Sequence, residues 1–383
     1  MICFRAITWG IMLAFSFLVT LVTLLILEIQ GASKFKNEDS LVLVHVLFRH
    51  GNRTAHGKSE LYPKDPYYNK TYFPIGLGQL TRAGKLKEYS IGTQLRKRYN
   101  DFLGQEIYPQ LVDARSTEYN RTKASLLLCL AGLFPPTTMD LFENSLSLQA
   151  IPTNYWPINS DPELAGYRCP NYIKMYDDNK YKPNNQKLYD DHRDIFQYIS
   201  DNSGLNITSF EQIYHLYFGI STEIEFGLDQ PQWIKNIWPH PIVDLSVKQY
   251  YVATDTVDMK RILTGHLLKK IVDDSMVKIN EDPDEEFKTK MYLYSGHEDN
   301  IANFLITLNV FDDKIPNYGS YVLVELHKID NEFGLKFFYH NYETGNPVAL
   351  NLPSCGGFCT LKNFISLYKV YFPLENSCRN STK

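Results

Sequence analysis

The sequence predicts an α/β protein: a mostly parallel central sheet flanked by helices, with an inserted, mainly helical subdomain. Three observations carry this expectation. Apolar, β-rich runs at 41–48, 111–113 and 290–295 alternate along the chain with helix-forming segments, the alternation that builds parallel sheets. The first run, LVLVHVLF, is almost unbroken in apolar character, as in a strand covered on both faces. From Thr153 to Tyr251 the composition shifts to Tyr, Asn, Asp and Trp, and no long strand pattern appears.

The bulk numbers fit this picture. With 383 residues, 44% hydrophobic, the chain can bury a sizeable core in one large domain or a domain with an insertion. A net charge of -4 without basic tracts excludes the electrostatic footprint of a nucleic-acid binder. The expected organisation is a targeting segment at 1–33, an α/β domain at 34–152 and 252–383, and an inserted helical cap at 153–251.

Taken in order, Ala6–Leu27 holds no charge. A bilayer span needs about 20 apolar residues, and a signal core about 7–15. The run satisfies both. It reads as a signal peptide cleaved near Gly31–Ser33 or as a retained anchor, and either sends residues 34–383 into the secretory pathway. After the first strand, residues 52–78 form a loop punctuated by Pro63, Pro66, Pro74, Gly76 and Gly78. A helix follows over 81–102, with Leu95, Tyr99 and Phe102 on one face and Gly104 just beyond. A short strand at 111–113 and a helix to Leu133 come next, stopped by Pro135-Pro136. Residues 144–152 read as another strand, 255–272 as a helix, 290–295 as a strand and 300–309 as a helix. Residues 320–328 and 335–339 pair as a hairpin around Asn331–Gly334. A final helix lies near 360–371.

Six cysteines are present. Cys3 belongs to the leader, and Cys129 sits in an apolar helical run that suits a buried free thiol. Cys169, Cys355, Cys359 and Cys378 remain, an even number for an oxidising compartment, and three connectivities are open. Sequons stand at Asn52, Asn69, Asn120, Asn206 and Asn380. Glycans are expected at Asn69, Asn206 and Asn380, and not at Asn120 or at Asn52, which lies within the charged cluster described next.

Three polar clusters close apolar strands: Arg49-His50-Gly51-Asn52-Arg53, Arg115-Ser116-Thr117 and His297-Glu298. In open α/β sheets, ligands collect beyond the carboxyl ends of the strands. Arginine binds oxyanions through paired hydrogen bonds, and three arginines converging there repel one another unless an anion such as phosphate sits between them. Gly51 lets backbone approach that anion closely. A cationic setting favours neutral His50, the form a nucleophile needs. Glu298 is then placed to protonate a leaving oxygen. Taken singly, each cluster reads as a surface ion pair or a helix cap. A zincin is excluded, because Asp299, Asn300 and Ile301 follow His297-Glu298 where a second histidine is required. His45, His50 and His56 do not form a convincing metal set, since side chains alternate along a strand.

The motif R-H-G-x-R at Arg49–Arg53, ending a first apolar strand, resembles the signature of the branch-two histidine phosphatases. The likeness extends through 76–103, 114–136, 293–311 and 352–359, and is greatest to the histidine acid phosphatases of prostatic, lysosomal and insect venom type. The resemblance implies an acid phosphomonoesterase in which His50 takes the phosphoryl group covalently. It implies Arg49, Arg53, Arg115 and His297 as phosphate ligands and Glu298 as proton donor, with Asp299 as the fallback. The family has Asp where Glu298 stands and Pro where Ala55 stands. The implied disulfides are Cys169–Cys378 and Cys355–Cys359. No metal or other cofactor is implied, because the arginines supply the charge. The expected partners are small phosphate monoesters, with a possible homodimer and with membrane contact only through the N-terminal segment. The rival readings are an inositol-polyphosphate phosphatase, which calls for more cations around the mouth, and a secreted non-catalytic phosphate or receptor binder.

Overall fold

The computed structural model describes residues 40–136, 149–282, 284–342, 345–375 and 377–378. The chain divides into two units. The smaller comprises Met1–Ser40 and Lys328–Glu332, of which the structure describes Ser40 and a hairpin turn. The larger, Leu41–His327 with Phe333–Lys383, holds every site residue discussed below. No helix among the described residues is long and apolar enough to cross a membrane, and the apolar run at 6–27 lies outside them.

One eight-stranded mixed sheet organises the fold, in the order β3-β2-β4-β1-β5-β6-β7, with β8 also pairing β6. Its strands are β1 (Ser40–Arg49), β2 (Val112–Ser116), β3 (Asn154–Tyr155) and β4 (Met291–Gly296), then β5 (Tyr321–Ile329), β6 (Glu332–His340), β7 (Val348–Leu350) and β8 (Cys359–Thr360). β1, β2 and β3 run parallel to their neighbours in the half built around β4, whereas β6 is antiparallel to β7 and β8. The hairpin turn is tighter than the sequence reading: Asp330 and Asn331 alone connect the strands, both with positive φ (49° and 67°). That is the backbone a two-residue primed turn requires, and Asp and Asn tolerate it.

β1 shows why the sheet is buried on both faces. Leu43 and Leu47 point into one apolar cluster with Leu268, Ile271, Phe304 and Phe364. Val44, Val46 and Phe48 point into the other, with Ile91, Leu95, Leu130 and Leu133. The second cluster is covered by α1 (Arg82–Leu103) and α2 (Asn120–Leu133). Between β3 and β4 the chain is helical: α3 (Pro170–Lys180), α4 (Pro183–Asp190), α5 (Arg193–Ser203), α6 (Phe210–Glu225), α7 (Gln232–Lys235), α8 (Ile242–Ala253) and α9 (Val257–Lys260). After a π turn at Arg261–Gly265 come α10 (His266–Ile279), then α11 (Glu298–Thr307) after β4 and α12 (Leu361–Tyr368) near the end. The helices after β3 share a separate apolar cluster that includes Phe196, Ile199, Phe210, Ile213 and Leu216.

Two sequence expectations need adjustment. Residues 144–148 of the expected strand lie outside the described residues, and 149–152 form no strand; the sheet continues at Asn154 instead. Pro152 has no amide hydrogen to offer a ladder. The helix expected from Asn300 starts at Glu298, so both acids after His297 occupy its first turn.

The disulfides are Cys169–Cys378 and Cys355–Cys359, with Cα separations of 5.1 and 4.9 Å, and Cys129 is free and buried. Asn69 and Asn206 are exposed, and Asn380 lies outside the described residues.

Candidate active site

Parallel register gathers the three clusters. Arg49 stands beside Gly296, and Ser116 beside Ser295, so β1, β2 and β4 end level with one another. The residues just past those ends, His50, Thr117 and His297, therefore meet. The two histidines open onto a cavity of about 530 Å³ lined by His50, Arg53, Arg121, His297, Glu298 and Asp299 at this end, and by tyrosines of the helical stretch farther out.

His50 is fully buried apart from its access to the cavity. Its Nδ1 lies 2.9 Å from the carbonyl oxygen of Gly51. A carbonyl only accepts, so Nδ1 carries the hydrogen and Nε2 keeps its lone pair. Burial, reinforced by Arg121, His297, Arg49 and Arg53, holds its pKa well below the ordinary histidine value. The imidazole is thus a neutral base inside a ring of cations. His297 lies edge-on to it, with ring centroids 5.3 Å apart. The Nε2 of His297 is 3.0 Å from Thr117 Oγ1, and its Nδ1 is 3.4 Å from Arg121 Nη2. Since the guanidinium only donates, His297 Nδ1 accepts and Nε2–H points to Thr117.

The arginines divide into distinct situations. Arg53 lines the cavity and is clamped by Glu60 through both terminal nitrogens, at 2.8 and 2.5 Å. Arg49 lies just behind the cavity wall. It donates to the carbonyl oxygen of Pro316 at 2.6 Å, stacks 3.8 Å over the ring of Tyr318, and places Nε 3.3 Å from Glu298. Arg121, from the first turn of α2, lines the cavity between His56 and His297 and pairs with no carboxylate among the described residues. Burial and the nearby Arg53 depress its pKa to about 10, the mark of a cation crowded by like charge.

Arg115 is the correction. Its two terminal nitrogens are taken by Glu163 and by Asp161, the latter at 2.5 Å, and it does not line the cavity. It is a buried strut between β2 and the chain after β3. The third arginine at the cavity is Arg121. The sequence carried a signal for it: a cation in the first turn of a helix opposes the helix dipole, so it is there for another reason.

Glu298 is 7% exposed. One oxygen faces Arg49 Nε and the other accepts from the Tyr214 hydroxyl of α6. Burial would raise its pKa, but Arg49, His297 and Tyr214 outweigh that and hold it near 2. Asp299, next along, is only partly buried and faces the cavity. Burial and the adjacent Glu298 push its pKa up to about 7. Tyr214 and the neighbouring Tyr250 were not foreseen, because they arrive from α6 and α8, far away in the chain.

The fold and this constellation have counterparts. Residues 40–340 match the family described as histidine phosphatase superfamily (branch 2). The chain belongs to that superfamily. Among curated relatives, it is 33% identical over 331 residues to venom acid phosphatase Acph-1 of Apis mellifera, covering 86% of this chain and 85% of the relative. It is 31% identical to the lysosomal acid phosphatase of Rattus norvegicus, covering 88% and 79%. Among solved structures, Hafnia alvei phytase in complex with tartrate superposes with a TM-score of 0.65 at 17% identity, covering 89% of this histidine phosphatase and 98% of the phytase. That last likeness speaks for the fold alone. The family and the acid phosphatase relatives support phosphomonoester hydrolysis as the activity of this enzyme.

Proposed function

We propose that this histidine phosphatase hydrolyses phosphate monoesters through a phosphohistidine on His50 Nε2. The observation that carries this reading is the hydrogen bond from His50 Nδ1 to Gly51, which leaves the other nitrogen free within a pocket of fixed cations. The Nε2 lone pair attacks phosphorus as the P–O ester bond breaks. Arg53, Arg121 and His297 hold the equatorial oxygens, with Arg49 behind them, and a carboxylic acid at the start of α11 protonates the leaving oxygen. Water then attacks the phosphohistidine, releasing phosphate and restoring the imidazole. Such catalysis is positioning and electrostatics, with little further chemistry asked of the protein.

The cavity beyond the phosphate end favours a monoester over an inositol polyphosphate. Its walls are largely tyrosine: Tyr119, Tyr167, Tyr172, Tyr176, Tyr214 and Tyr250. The cations there are Arg168 and Lys180, and Lys180 is already paired with Asp177 and Glu211. We read residues 153–251 as the cap that shapes this cavity. The secretory pathway is the matching compartment, given the venom and lysosomal relatives and the two disulfides, with exposed Asn69 and Asn206 available for glycans.

The test is release of p-nitrophenol from p-nitrophenyl phosphate between roughly pH 4 and 8, beside His50→Ala. Activity strongest on the acid side and absent from the variant supports the reading. Equal turnover by His50→Ala overturns it.

A further inference from the structure

Two carboxyl groups follow His297, and they sit in opposite environments. One oxygen of Glu298 accepts a hydrogen bond from the Tyr214 hydroxyl, and the other is ion-paired with Arg49 Nε at 3.3 Å. A proton on Glu298 would cancel the charge that pairs with Arg49 or force the Tyr214 hydroxyl to turn and accept. Its burial makes an unpaired Arg49 costly as well, since breaking a buried ion pair is strongly destabilising. Glu298 is therefore an anion fixed by its partners. Asp299 accepts from backbone amides, among them that of Asn300 to Oδ1 at 2.9 Å, and it retains access to the cavity. No cation is paired with it among the described residues.

We propose that Asp299, and not Glu298, is the carboxylic acid that protonates the leaving oxygen, while Glu298 is the fixed anion that holds Arg49. This rests on the phosphohistidine reading above. In the first step the P–O ester bond breaks, the Asp299 proton passes to the departing oxygen, and Asp299 is left as a carboxylate. In the second step Asp299 takes a proton from the attacking water, whose oxygen bonds to phosphorus. The N–P bond then returns its electrons to His50 Nε2. The groups acting on Asp299 are Glu298 on its own helix, Arg121 of α2, Tyr167, and Tyr172, Tyr214 and Tyr250 of α3, α6 and α8. Arg121 alone favours its ionised form by charge, and burial with Glu298 outweighs it, so the proton is in place in acid solution.

The experiment compares leaving groups. Nitrophenolate departs without a proton, whereas an alkoxide needs one. The full chain and its Asp299→Asn, Glu298→Gln and His50→Ala variants are assayed with p-nitrophenyl phosphate and with glycerol phosphate. General-acid catalysis typically contributes about 100-fold or more, so Asp299→Asn loses at least that on glycerol phosphate and under about 10-fold on the nitrophenyl ester. Glu298→Gln loses similar factors on both substrates, because it disturbs Arg49. The proposal is overturned if the leaving-group-dependent loss follows Glu298→Gln, or if Asp299→Asn treats both substrates alike. Turnover by His50→Ala overturns the underlying reading instead. Vanadate binding reports an intact pocket in each variant, and Asp299→Ser replaces Asp299→Asn in the comparison if the latter fails to bind it.

Discussion

Gly51 and Gly84 touch backbone to backbone: a Cβ on Gly51 would lie 2.5 Å from the carbonyl oxygen of Gly84. A Cβ on Gly84 would lie 2.1 Å from the carbonyl oxygen of Asn52. The start of α1 is thus pressed into the loop that carries His50, and Thr81 completes the joint by donating its amide to Asn52 at 2.9 Å and capping Gly84 at 3.1 Å. A methyl group at position 84 meets backbone, which cannot rotate away. Overpacking of this kind costs about 1–3 kcal/mol, and a displacement of about 1 Å in a catalytic group can cost about 100-fold. Gly84→Ala is expected to lose both stability and kcat/KM on that scale. Unchanged kinetics in a variant of normal Tm would show that the loop adjusts freely.

Arg115, at the end of β2, and Arg121, in the first turn of α2, have different roles. Arg121→Ala removes a cation from the cavity, so kcat/KM falls by about 100-fold or more while the fold persists. Arg115→Ala leaves Asp161 and Glu163 without their partner. Breaking a buried pair costs about 3–5 kcal/mol, so this variant loses stability in urea unfolding first and activity only as a consequence. The opposite pattern would restore Arg115 to the phosphate site.

His50 should remain an unprotonated nucleophile below the usual histidine range. Its folded pKa lies well under 6.5, so kcat/KM shows no acid limb at 6.5. The sign for stability is the reverse of the benefit to catalysis. As pH drops below 6.5 the unfolded chain binds a proton that folded His50 refuses, and folding weakens. An NMR titration of the His50 ring in the ligand-free enzyme checks this. An ordinary midpoint would count against the cationic pocket as described.

A second carboxyl pair joins the 52–78 loop to α6. Asp65 and Glu223 hydrogen-bond to each other, and Gln230 donates to Glu223 at 3.1 Å. Two carboxyl groups in that contact share a proton. Burial and Asp65 push Glu223 up to about 8 from an ordinary 4.5. The folded form keeps a proton that the unfolded chain releases, so this contribution is fully present below 4.5 and is lost as pH rises through about 8. The stability of the enzyme relative to Glu223→Gln should therefore decline between pH 5 and pH 8, read as the difference between their Tm values at each pH. Parallel curves would mean that the pair does not share a proton.

Local patterns carried most of what was legible in the sequence. The unbroken apolar run before Arg49 showed β1, and the strand-to-helix alternation placed His50, Arg53, His297 and Glu298 at strand ends that the parallel register does bring together. What failed depended on distant chain. The sequence reading named Arg115 and passed over Arg121, because Asp161 and Glu163, which neutralise Arg115, come from beyond β3. The different fates of Glu298 and Asp299 follow from Tyr214 and Arg49, neither of which is near them in sequence. The tyrosine walls come from α3, α6 and α8, whose apolar periodicity says that they pack but not what they face.

Cys129 has a role in time as well as in space. It sits on α2 where the helix meets α1 so closely that a Cβ on Gly92 would fall 1.9 Å from the Cys129 carbonyl oxygen. Its thiol is fully buried, and burial raises its pKa well above the ordinary value, so in the finished protein it takes no part in thiol exchange. A nascent chain has no such protection, and Cys169 must find Cys378 across 209 residues. Docking of α1 on α2 is therefore the event that withdraws a competing sulfur. Copies in which those helices met late would leave the Cys129 thiol open to mispairing, so loosening a helix pair that contains neither bridge is expected to lower the yield of oxidative refolding.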